Sequence, residues 1–167
     1  HMDNVQKSFL YWGIITLVGF ALTSFLISTP FLGGTLVSPF WGAVTVIGLV
    51  LTYFINDRRH KVNMRIFWVW LALLVLGIVL NDLVVFGNVS ALASTVSLEF
   101  WLVLMAVGYF LSAAIAKWDK DLLIAMSACL LGLIMLLVTG ISDTQIFLAG
   151  LITGIAGGVP LIWMALK

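Results

Sequence analysis

The chain has 167 residues, 63% of them hydrophobic and only 9% charged, with a mean hydropathy of +1.21. A soluble domain carries roughly 25% charged residues, and a globule of this size cannot bury so much apolar surface, because small domains still expose much of theirs. Eight Lys and Arg against seven Asp and Glu leave a net charge of +1, which removes nucleic-acid binding along with fibrous and disordered classes. The expectation is an integral membrane protein forming one transmembrane domain over residues 1–167.

His1-Met2 reads as a remnant of vector sequence. A hydrocarbon core of about 30 Å needs about 20 apolar residues in a helix, and six segments qualify. The first covers 8–28 and has only Lys7 before it; without a small-x-small cleavage site it reads as a span rather than a signal peptide. Thr29-Pro30 and Gly33-Gly34 stop it. Ser38-Pro39 then places an N-cap before a proline, opening the second span at 39–55. The basic run Arg58, Arg59, Lys61 and Arg65 precedes the third span, 65–86. That run can set topology or attract anionic lipid headgroups.

Asn81 and Asp82 lie one turn before the end of the third span, where the helix dipole disfavours an anion. Gly87-Asn88 closes that helix, and Glu99 falls in the first turn of the fourth, 97–116. The fifth span, 120–139, holds the single cysteine, Cys129, which excludes an internal disulfide. Gly140 ends it. Ser142 and Gln145 form an S-x-x-Q capping box for the sixth, 144–166, with Asp143 in its first turn. Three glycines of that span, Gly150, Gly154 and Gly158, share one face and predict a close helix contact within the chain or with a neighbouring protomer. Pro160 removes one helical hydrogen bond, frees the Ala156 carbonyl and predicts a kink.

Six spans put all eight basic residues at one end, and the opposite loops hold none. By the positive-inside tendency, both termini are expected in the cytoplasm, in a multi-pass protein of a prokaryotic cytoplasmic membrane. Trp12, Trp68, Trp70, Trp118 and Trp163 fall near the inner ends and Trp41 and Trp101 near the outer ones, depths that suit interfacial indoles.

The hairpins at about 8–55 and 65–116 resemble each other, and 120–166 keeps only traces of the pattern. Trp12, Gly19 and Leu22 recur 58 residues later as Trp70, Gly77 and Leu80. Phe40, Trp41, Gly48 and Thr52 recur 60 residues later as Phe100, Trp101, Gly108 and Ser112. Because each unit starts at the basic end, duplication would produce parallel repeats. Independent helices that each need an interfacial Trp and a small residue would look the same.

Chemistry is sparse. The sole histidine beyond position 1 is His60, and no zinc-helix motif, phosphate loop or nucleophile triad occurs. No enzyme activity, cofactor or metal is expected. Asp82, Glu99 and Asp143 have no cation on their side and would form a cation-concentrating mouth if they converge. Thr52, Tyr109 and Ser112 could line an uncharged path or bond neighbouring helices. The expected function is a small-solute or ion permeation module, acting as an oligomer or with a partner membrane subunit among membrane lipids. The alternative is a non-transporting sensor, assembly factor or stress-response scaffold.

Overall fold

The computed structural model describes Met2 and residues 4–28, 37–55, 61–85 and 98–167; Arg58 and Arg59, and the side chains of Asn81, Asp82 and Asp143, lie outside the described set. The described residues form an all-α bundle. Its long helices are α1 (Asn4–Ser28), α2 (Val37–Ile55), α3 (Lys61–Val85), α4 (Leu98–Ile115), α5 (Lys120–Thr139) and α7 (Ile146–Leu166), and α6 (Ile141–Thr144) is a single turn. All six expected segments are helical. Five are long and apolar enough to cross a membrane; α2 is the shorter one, its apolar stretch running from Pro39 to Ile55. Helices α1 and α3 start about four residues earlier than hydropathy suggests, at Asn4 and Lys61. Backbone hydrogen bonding continues through a polar first turn that an apolar window leaves out.

The turns explain where helices stop. Asp119 caps α5, its carboxylate accepting from the backbone N–H groups of Asp121 and Leu122 at 2.9 and 3.2 Å. Just before it, Lys117 and Trp118 both adopt positive φ, and this tight reversal lays the Trp118 ring 5.7 Å from Phe110. Gly140 ends α5 as expected, with φ of 62° and its N–H on the Leu136 carbonyl at 2.9 Å. The Ser142–Gln145 capping box does not form. The left-handed Gly140 lets the chain begin a new turn at once, so Ser142 falls inside α6 and Gln145 becomes the residue before α7, without a side-chain cap. Backbone bonds serve instead, from Gln145 N–H to Ile141 O and from Ala149 N–H to Gln145 O.

The bundle is organised around α7, which packs against α1, α4 and α5. The glycine face expected to be a close contact is one, and its partner is α1 of the same chain. A Cβ on Gly158 would stand 2.6 Å from the Gly13 carbonyl oxygen, and one on Gly154 would stand 2.8 Å from that of Leu17. Gly150 abuts Ser24. The order along the two helices is opposed, so α1 and α7 are antiparallel and both chain ends lie at the same end of the bundle. Lys167 there bridges to Asp121 at 2.9 Å and sits over the Trp163 ring.

Pro160 lies inside α7, which remains helical through it. The freed Ala156 carbonyl is met from α5: the Cys129 thiol donates to it at 3.6 Å. One residue on, the Gly157 carbonyl accepts from Tyr109 Oη at 2.7 Å. Neighbouring helices therefore satisfy the carbonyls around the proline, which is how membrane helices tolerate proline.

A tryptophan-lined chamber between two like hairpins

In each of α1 to α4 a tryptophan precedes a glycine by seven residues: Trp12 and Gly19, Trp41 and Gly48, Trp70 and Gly77, Trp101 and Gly108. Seven residues are almost two helical turns, so both positions share a face. When two such helices pair antiparallel, each indole falls on the partner's glycine. A Cβ on Gly48 would stand 2.7 Å from the Trp12 ring, and one on Gly19 the same distance from Trp41. The second hairpin repeats this, with Trp70 on Gly108 and Trp101 on Gly77. The locks also share a hydrogen bond. Trp12 Nε1 donates to Thr52 Oγ1 at 2.8 Å, and Trp70 Nε1 to Ser112 Oγ at 3.1 Å.

These contacts correct the interfacial reading of four tryptophans. Trp12, Trp41, Trp70 and Trp101 face inward and pack on the buried core. Only Trp68, Trp118 and Trp163 project outward, and all three are exposed at the end that carries the termini.

Between the two hairpins lies a cavity of about 160 Å³. Most of its walls come from equivalent positions of the two units, with Thr52 of α2 and Leu161 of α7 added. On α1 they are Val5, Ser8, Phe9, Trp12, Thr16 and Phe20; on α3 they are Asn63, Ile66, Phe67, Trp70, Leu74 and Ile78, each 58 residues later. Trp41, Thr45 and Leu49 on α2 answer to Trp101, Met105 and Tyr109 on α4 at an offset of 60. Fifteen residues of α1 span roughly 22 Å along its axis, so the cavity is deep. Phe20 stands 5.0 Å from Trp41 and 6.4 Å from Trp101, forming an aromatic cluster at the end away from the termini.

The equivalence of position is not matched by polarity. The α1–α2 wall carries the hydroxyls of Ser8, Thr16, Thr45 and Thr52. Opposite them, at the same positions, stand Ile66, Leu74 and Met105, with Ser112 replacing Thr52 behind Trp70. The cavity thus has three more hydroxyls on its α1–α2 side than on the α3–α4 side, whose polar groups are the Asn63 amide and the Tyr109 hydroxyl, the latter bonded to Gly157. No charged side chain lines it among the described residues.

The candidate pathway residues are distributed unevenly. Thr52 and Tyr109 line the cavity, but Thr52 accepts from Trp12 and Tyr109 donates to Gly157. Ser112 is fully buried beneath Trp70. Glu99 is half-buried in the first turn of α4 and is not without a partner. Asn81, Asp82 and Asp143 fall outside the described side chains, so the acidic mouth does too. Lys61 and Arg65 are exposed on the first turns of α3, while Arg58 and Arg59 are outside the described residues. Among the described residues, no three His, Cys, Asp or Glu side chains come together. The sequence reading missed the inward tryptophans, Ser8 and Asn63. The recurring seven-residue step from Trp to Gly was the signal that could have found the tryptophans; nothing comparable marks Ser8.

Compared with known proteins, the chain matches no family model, no curated protein and no solved structure.

Proposed function

We propose that the protein is an integral membrane receptor, crossing the bilayer six times with both termini in the cytoplasm, that holds a small uncharged molecule between its two tryptophan-locked hairpins. The carrying observation is the 160 Å³ cavity built from matching positions of α1–α2 and α3–α4 and lined without charge. An engineered apolar cavity of about 150 Å³ stays dry and accommodates benzene, so a single-ring molecule sets the scale. The membrane placement is supported by five span-length helices and by the described basic residues, Lys7, Lys61, Arg65, Lys117, Lys120 and Lys167, which all lie toward the end that carries the termini. A sensor rather than an ion pathway is favoured because the hydroxyls of Thr52, Ser112 and Tyr109 are engaged in interhelical bonds.

The depth of the cavity favours a second reading, a permeation module for neutral solutes. Reconstitution into phospholipid vesicles separates the two. The receptor reading expects saturable binding of a single-ring probe such as 4-fluorophenol and no acceleration of glycerol or urea entry over empty vesicles. Accelerated entry that is lost on filling the cavity with Leu74→Trp would establish permeation instead. Absence of both binding and flux would remove the cavity from the account of function.

A further inference from the structure

Ser8 is unlike four other helical hydroxyls of this bundle. Thr23, Ser127, Thr139 and Thr153 each donate back to the carbonyl four residues earlier, at 2.6 to 2.9 Å. Ser8 has the same option on α1 and does not take it. Its residue is 94% buried, being 6% exposed, yet its Oγ has no hydrogen-bond partner. Ser8 lines the cavity near the end that carries the termini. The equivalent position in the second hairpin is Ile66, so the scaffold does not require a hydroxyl there. A buried polar atom left unpaired is costly, and this one, packed in the wall, belongs to a residue that lines the cavity, so a partner can come from inside once the hydroxyl turns that way.

We infer that Ser8 is the polar anchor of the site, and that the site selects a neutral single-ring aromatic bearing one hydroxyl or comparable hydrogen-bonding group. This rests on the chamber reading above and adds its chemistry. The ring lies beside Trp12 and Trp70, whose positions are about one helical turn from Ser8 and Ile66 and line the same part of the cavity, where edge-to-face contacts are available. Its polar group meets Ser8 Oγ. An ionised ligand is disfavoured because the lining offers no counter-charge.

The test compares 4-fluorophenol with fluorobenzene by ¹⁹F NMR titration of the full chain in lipid nanodiscs, with empty nanodiscs as reference. Saturable binding of 4-fluorophenol is expected. Ser8→Ala should weaken it about fivefold, the scale of one hydrogen bond near 1 kcal/mol, while leaving fluorobenzene within twofold. Ser8→Thr should restore the phenol. If Ser8→Ala shifts both probes equally, or neither, the anchor is overturned while the chamber stands. If neither probe binds beyond the empty nanodiscs, the chamber reading falls with it, and the unpaired hydroxyl is a water site only.

Discussion

Trp12 donates its indole N–H to Thr52 across the α1–α2 interface at 2.8 Å, directly beside the glycine, Gly48, on which its ring lies. Trp70 does the same to Ser112. Interhelical hydrogen bonds between membrane helices contribute about 0.6 kcal/mol on average and up to about 1.7. Thr52→Val and Ser112→Ala should each lower stability by that amount in a denaturant titration in micelles, whereas Thr52→Ser should be neutral. The two bonds belong to different hairpins with no shared partner, so the double variant should be additive. A strongly non-additive pair would show that the hairpins do not lock independently.

The described glycines separate into those that need to be glycine and one that does not. At Gly158 a methyl group would meet the backbone of α1, which cannot rotate aside, so Gly158→Ala should cost about 1–3 kcal/mol, the range for overpacking. At Gly42, also helical, nothing lies within 4 Å of the new carbon. Gly42→Ala should instead gain about 0.5–1 kcal/mol through lost backbone freedom in the unfolded chain. Thermal unfolding of the two variants side by side checks both signs.

Cys129 and Pro160 are coupled through one carbonyl. Cys129→Ala removes the donor that serves Ala156, at a cost of about 1 kcal/mol. In a Pro160→Ala background the restored helical N–H serves the same carbonyl, and the Cys129 substitution should then cost little. The double-mutant cycle reads this directly. Maleimide should also fail to label native Cys129, which is fully buried, and label it on unfolding.

Topology is testable in a Cys129→Ala background. Lys120→Cys and Thr144→Cys are both at exposed positions, at opposite ends of α5 and the α6 turn. A membrane-impermeant maleimide applied to intact cells should label Thr144→Cys alone, and Lys120→Cys only after permeabilisation. Equal labelling of both from outside would contradict six crossings with cytoplasmic termini.

Helix positions and the glycine face of α7 were legible because both rest on local regularities, apolar length and a four-residue repeat. The repeat of hairpins was legible as matched Trp, Gly and hydroxyl positions, but its purpose was not. A tryptophan in a membrane helix can suit the interface or fill the interior, and hydropathy treats Trp68 and Trp70 alike. They lie two residues apart and so point away from each other: Trp68 is exposed, while Trp70 covers Gly108 and lines the cavity. Only the partner helix decides. Ser8 was illegible for a similar reason, since whether its hydroxyl finds a partner depends on what the other helices set beside it. The Ser142–Gln145 box failed because one left-handed glycine upstream moved the start of the helix.

Joining the first helix to the last has a cost in time as well as in chain entropy. Gly13 and Gly158 touch across 145 intervening steps of sequence, which at about 5–20 residues per second is on the order of 7–30 s of translation. Throughout that interval the face of α1 that will receive α7 is without its partner. The two tryptophan-locked hairpins can form as they leave the ribosome, but the finished molecule exists only once its final segment slides home.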